Sequence, residues 1–132
     1  MKVFVNGTFD LLHRGHLELL NYAKSLGSRL YVGIDSDRRV KEKKGSSRPI
    51  YTQADRKFFL ENLKSVHKVY YFDSDFELEC LINMISPDIM IVGSDWRGKP
   101  IIGSQYAAKL IFFDRIGEYA TTNTIQNIVD RR

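Results

Sequence analysis

Cysteine is almost missing from this sequence: Cys80 stands alone among 132 residues. An internal disulfide is therefore impossible, and a reducing, cytoplasmic setting is expected. The segment FELECLINMI, residues 76–85, reads as a helix with Cys80 on its buried face, and no histidine near it in sequence would make it a nucleophile. Histidine is scarce too, with only His13, His16 and His67. Lacking the H-E-x-x-H spacing and a second cysteine, the chain is not expected to carry a zinc site or any other protein-built metal site. No apolar run approaches the ~20 residues that span a bilayer, and Met1-Lys2-Val3-Phe4 enters a strand at once without a signal-peptide pattern. The G-x-G-x-x-G fingerprint and the Walker Gly-Lys-Ser/Thr are both missing. So are internal repeats, low-complexity tracts and a recognisable linker.

What is present suits one domain over residues 1–132, with 43% apolar and 27% charged residues. The net charge of +4 is concentrated in DRRVKEKKGSSR, Asp37 to Arg48. This stretch reads as a solvated loop and helix end, as a nucleic-acid contact, or as a lid that neutralises a triphosphate. No zinc knuckle or RNP-type aromatic motif accompanies it, so neither nucleic acid nor membrane is an expected partner.

Short runs rich in Val, Ile, Tyr and Phe at 2–6, 29–35, 68–73, 89–93 and 109–113 predict five strands. Between them, Leu17, Leu19, Leu20, Ala23 and Leu26 recur at helical spacing over 14–26, with Gly27 as a stop. Thr52 to Leu63 opens on an N-cap threonine with Asp55 in the first turn. Phe76 to Ile85 ends before Ser86-Pro87, and a last helix follows Thr121-Thr122, one of which would serve as its N-cap. Strands alternating with helices predict an α/β fold: a single Rossmann-like domain whose five-stranded parallel sheet is covered on both faces.

Ligands of such sheets lie beyond the carboxyl ends of the strands, so the chemistry is sought in the loop after the first one. Gly7 lets backbone approach a ligand closely, and Thr8 offers a hydroxyl and an N–H. His13 and His16, three apart, share a face at the start of the next helix, where the dipole and unpaired N–H groups favour an anion. Gly15 between them leaves room for a bulky group. Asp10 either hydrogen-bonds backbone in the turn, orients a histidine, or helps hold a metal-bound phosphate. Arg56 either grips an anion or pairs with a local carboxylate. Arg48 is a further candidate anion contact. His67 falls at a strand entrance with no catalytic task, and Trp96 is either a rim aromatic or part of a pocket wall.

GTFDLLHRGH, residues 7–16, resembles the signature of the H-x-G-H nucleotidyltransferase superfamily. GSDWRGK (93–99) is similar to a segment of the glycerol-3-phosphate cytidylyltransferases, whereas GSSRP (45–49) and IIGSQYA (101–107) look more like the heptose-phosphate adenylyltransferases. RIGEYATTNTI (115–125) resembles the superfamily's closing phosphate motif, with Ala120 where serine is usual and Gly117-Glu118 in reversed order. The resemblance implies attack by an acceptor phosphate on the α-phosphorus of a nucleoside triphosphate, with pyrophosphate leaving. The acceptor is already ionised, so positioning and charge stabilisation suffice without a general base. It further implies His13, His16, Lys44 and Arg115 as catalytic groups. Gly7, Thr8, Phe9, Asp10, Gly15, Asp95, Thr121 and Thr122 would hold the nucleotide. Lys41, Arg56, Lys64 and Trp96 would meet the acceptor; Lys64 stands where the glycerol-phosphate relatives have arginine, and which of Lys41, Lys43 and Lys44 touches phosphate is left open. Mg²⁺ arriving with the triphosphate, and a homodimer, are implied as well. CTP with a small polyol phosphate such as glycerol 3-phosphate is ranked first. ATP with heptose 1-phosphate or a related sugar phosphate comes next, then a nucleotide-binding regulator without turnover.

Overall fold

The structure is a computed structural model that describes residues 1–114 and 120–132. The chain alternates as expected: β1 (Lys2–Gly7), α1 (Arg14–Ser25), β2 (Arg29–Asp35), α2 (Asp37–Lys44), α3 (Gln53–Glu61), β3 (Lys68–Phe72), α4 (Asp75–Ile85), β4 (Ile89–Gly93), β5 (Lys109–Phe113) and α5 (Thr121–Asp130). All strand pairings are parallel, and the order is β3-β2-β1-β4-β5. The chain therefore builds outward from β1 in one direction and then crosses back to build in the other. The crevice between the carboxyl ends of β1 and β4 is the switch point where a ligand is expected.

Alternation along β1 divides the core in two. Val3 and Val5 face a cluster that includes Leu20 of α1, Leu60 of α3, Leu30 and Val32, while Phe4 points into the opposite cluster with Leu78 and Ile82 of α4, Phe72 and Met90. Both faces of the sheet are thus covered, which a parallel sheet of near-continuous apolar strands requires.

Three expectations are corrected. The basic stretch is helical over Asp37–Lys44, with Ser36 Oγ accepting from the Arg39 N–H at 3.2 Å. Its single apolar residue, Val40, gives no periodicity, so the helix is carried by its cap and by lysines in the last turn. Cys80 is exposed: the inner stripe of α4 is Leu78, Leu81, Ile82 and Ile85, and Cys80 lies off it. Neither threonine caps α5. The N-cap is Ala120, and Thr121 is already helical.

Segment 101–107 packs on α4 through Gly103, whose φ is +80° and whose added Cβ would lie 2.5 Å from Ile82 Cδ1. Gly98 has φ +75° with nothing within 4 Å of such a Cβ. The pair separates backbone strain from packing. Gly98→Ala should cost ~1–2 kcal/mol for left-handed backbone alone, and Gly103→Ala a further ~1–3 kcal/mol for overpacking. Urea unfolding of both variants checks this; equal losses would show that Ile82 yields freely.

Candidate active site

The start of α1 is built from its own histidines. His13 is the N-cap, and its Nδ1 accepts from the His16 N–H at 3.4 Å, while His16 Nδ1 accepts from the His13 N–H at 3.2 Å. Two orphan donors of the helix start are thereby satisfied reciprocally. Because each Nδ1 is an acceptor, each neutral ring carries its proton on Nε2 and presents that N–H as a donor. The rings stack at 3.8 Å with 17° between planes, an arrangement that two imidazolium cations would oppose. Burial pushes the His16 pKa down to about 4, with the neighbouring His13 and Lys44 adding to the effect and Asp10 opposing it.

The loop leading to this cap is held from inside the protein. Phe9 and Leu11 adopt φ of 52° and 51°, in the left-handed region that side chains usually avoid. The Phe9 ring is buried in the core and lies 5.3 Å from the His16 ring, so its side chain braces the imidazole. Asp10 is buried as well. Its carboxylate accepts from the Ile50 N–H at 2.6 Å and the Tyr51 N–H at 3.0 Å, and its carbonyl accepts from the Thr121 hydroxyl. Of the readings open for Asp10, backbone bonding is the one this geometry displays.

Arg56, expected at the acceptor, is also turned inward. Its guanidinium is wholly buried and donates to Tyr51 O at 3.1 Å, Thr8 O at 2.9 Å and Asp37 Oδ1 at 2.8 Å. Each guanidinium nitrogen has a protein partner, so the carboxylate alternative describes it. Lys64 is exposed beyond the end of α3, and Lys41 is exposed on α2; neither lines the cavities described next.

Two cavities flank the switch point. The first, about 450 Å³, has His13, Gly15 and His16 on one side, Gly93, Ser94 and Asp95 after β4, and Thr121, Thr122 and Asn123 at the start of α5. Ala120, the N-cap of α5, has only a methyl group and cannot satisfy the first N–H groups of that helix. Two helix starts thus line one chamber, a setting suited to anionic oxygens. Arg48 donates to Thr122 Oγ1 at 3.1 Å. Arg115 lies outside the described residues.

The second cavity, about 400 Å³, opens on the other side of the β1 and β4 ends and includes Gly7, Thr8, Asp35, Lys43 and Trp96 in its lining. Trp96 is 52% exposed at its edge. Lys44 and Gly93 line both chambers. Burial lowers the pKa of Lys44, and the Arg48 charge lowers it further against the pull of Asp35 and Asp10. Among the three lysines left open by the sequence, Lys44 is therefore at the junction, Lys43 in the second cavity, and Lys41 outside.

Asp35 and Arg39 were not anticipated. The available signal was a carboxylate closing the apolar strand RLYVGID at its carboxyl end, where a parallel sheet places ligand-facing groups. Among the described residues, no group of three His, Cys, Asp or Glu side chains could hold a metal ion, and no helix is long and apolar enough to cross a membrane.

A parallel sheet with paired imidazoles at its switch point is the arrangement that the resemblance to the H-x-G-H nucleotidyltransferases implies. The family described as Cytidylyltransferase-like matches residues 4–109, and the chain belongs to it. It is 44% identical over 126 residues to a bifunctional protein HldE of Campylobacter fetus subsp. fetus (strain 82-40), covering 96% of this chain and 27% of that protein. The HldE of Sulfurimonas denitrificans (strain ATCC 33889 / DSM 1251) is likewise 44% identical over 96% of this chain and 26% of its own length. The chain thus spans about a quarter of these curated relatives. The crystal structure of a lipopolysaccharide core biosynthesis protein from Thermoplasma volcanium GSS1 shares the fold, with a TM-score of 0.66, 24% identity, and coverage of 91% of this chain and 98% of that one.

The depressed His16 pKa has a consequence for stability. Between pH 6.5 and about 4, the unfolded chain takes up a proton at His16 that the folded chain refuses. Stability from this group is therefore full above pH 6.5 and declines as pH falls through that window. Urea unfolding should show a larger loss from pH 6.5 to 4 for the wild type than for His16→Asn, whose amide oxygen still accepts the His13 N–H. Equal slopes would place the neutral imidazole elsewhere in the accounting.

Proposed function

We propose that this nucleotidyltransferase moves an adenylyl group from ATP to heptose 1-phosphate or a related sugar phosphate, releasing pyrophosphate. The observation that supports the transfer chemistry is the locked pair of imidazoles, which line one chamber together with the start of α5. In this reading an acceptor phosphate oxygen bonds to the α-phosphorus while the bridging bond to the β-phosphorus breaks, and the electron pair leaves with pyrophosphate. His13 and His16 donate to the oxygens on which charge grows, and the Lys44 ammonium joins them at the junction with the second cavity. Gly15, Asp95, Thr121 and Thr122 are assigned to the nucleotide, Arg115 to its phosphates, and Trp96 with Lys43 to the acceptor, while Gly7 and Thr8, expected at the nucleotide, line the second cavity.

Among the described residues, Asp95 is the one carboxylate that lines the first cavity. That donor set fits Mg²⁺, which keeps waters and phosphate oxygens and needs few protein ligands. When bound, the ion would neutralise phosphate charge.

The choice of adenylyl over cytidylyl transfer rests on likeness. Identities of 44% to HldE proteins over 96% of the chain add to the heptose-like segments 45–49 and 101–107. This moves the balance from CTP and glycerol 3-phosphate, ranked first on sequence, to the alternative. The Trp96 segment supports the cytidylyl reading, so the decisive assay crosses ATP and CTP with heptose 1-phosphate and glycerol 3-phosphate and follows pyrophosphate. Turnover is expected with ATP and heptose 1-phosphate; turnover only with CTP and glycerol 3-phosphate would reverse the assignment, and none with any pair would reject transfer. His16→Ala should retain the fold and lose ~10²–10³ in rate, and a normal rate would remove His16 from the mechanism.

A further inference from the structure

The second cavity contains a buried carboxylate that the transfer chemistry does not use. Asp35 ends β2, is 9% exposed, and lines this cavity beside Thr8. Its Oδ1 accepts from Arg39 Nε at 2.8 Å, and its Oδ2 accepts from the Thr8 hydroxyl at 3.3 Å. Arg39 is itself held, with Nη2 on Asp75 Oδ1 at 2.6 Å and its guanidinium 5.3 Å from the centre of the Phe72 ring. The carboxylate is therefore fixed in orientation by Arg39 of α2 and Thr8 of the loop after β1. Each of its oxygens can accept more than one hydrogen bond, so one donor on each leaves further capacity on the cavity side.

The rest of the lining says what would meet it. Leu78, Met90, Val92, Ile101 and Ile102 form an apolar wall, with Trp96 at the edge. Lys44 borders the first cavity as well, where an acceptor phosphate must approach the α-phosphorus, and Lys43 stands beside it in the second. A ligand that satisfies all three regions has a phosphate at one end, a body with one apolar face, and hydroxyls along an edge. A carbohydrate ring has this character, and about 400 Å³ falls within the usual range for small-molecule sites. A cationic aminoalcohol phosphate does not match, since Arg39, Lys43 and Lys44 outnumber Asp35 in the lining.

We infer that Asp35, held by Arg39 and Thr8, is a specificity-determining residue that reads ring hydroxyls of a sugar phosphate acceptor. The inference rests on the nucleotidyl-transfer reading for the placement of the acceptor phosphate, but it concerns binding and is measurable apart from turnover. Calorimetric titration of the full chain with heptose 1-phosphate, its monodeoxy analogues and glycerol 3-phosphate tests it. Each titration is run with the α,β-methylene analogue of ATP, with that of CTP, and with neither.

On the wild type, removal of one particular hydroxyl should weaken binding about tenfold to hundredfold, the effect of losing a charged hydrogen bond. On Asp35→Asn, heptose 1-phosphate should weaken similarly, and that same monodeoxy analogue should lose little more. Glycerol 3-phosphate and the nucleotide analogues should bind both proteins alike. A flat monodeoxy series on the wild type overturns the inference, as does no measurable binding of heptose 1-phosphate. So does an Asp35→Asn variant that weakens every ligand by one factor. Should Asp35→Asn not fold, the wild-type series still decides. Pyrophosphate assays run in parallel judge the transfer reading separately: hydroxyl-dependent binding without turnover would discard that reading and keep this one.

Discussion

The buried guanidinium of Arg56 is the constraint on which the site depends. It joins the loop after β1 through Thr8, the loop before α3 through Tyr51, and the start of α2 through Asp37. Asp10 extends the same knot through Ile50, Tyr51 and Thr121 to the start of α5. A buried charge is tolerable only when paired and hydrogen-bonded on every side. That requirement makes the loops interdependent, since no one of them can shift without leaving part of the buried guanidinium unsatisfied.

Upon this frame the two histidines use one ring nitrogen for a structural task and keep the other as a donor. Their Nδ1 atoms close the first turn of α1, and the tautomer this imposes leaves Nε2–H as the outward donor. The strained backbone at Phe9 and Leu11 delivers the cap, and the Phe9 ring braces the imidazole from the core side. The sheet order then brings residues 93–95 and the start of α5 opposite, without any long-range adjustment of the strands.

Architecture was legible in the sequence because it depends on apolar periodicity and chain punctuation. The five strands and the helices at α1, α3, α4 and α5 all left such traces, whereas DRRVKEKK, with Val40 alone, did not. Of the site, His13, Gly15 and His16 could be placed because their spacing and position at a strand-to-helix junction are local facts. Arg56 could not be resolved between anion and carboxylate, since burial and a partner in another element decide it. Phe9 and Asp10 lie inside the signature yet turn their side chains inward, a consequence of left-handed backbone that residue identity does not announce. Asp35 needed the strand order and the cavity before its position had meaning.

One ammonium, that of Lys44, borders both chambers. Occupants of the two sides are therefore not electrostatically independent. An anion seated on either side restores the proton affinity that burial removes from this lysine, and it takes up part of the attraction that the other side would feel. By linkage, the penalty or gain that the first arrival imposes on the second is the same whichever comes first. A shared counter-ion of this kind turns two adjoining compartments into one cooperative unit without any motion of the backbone.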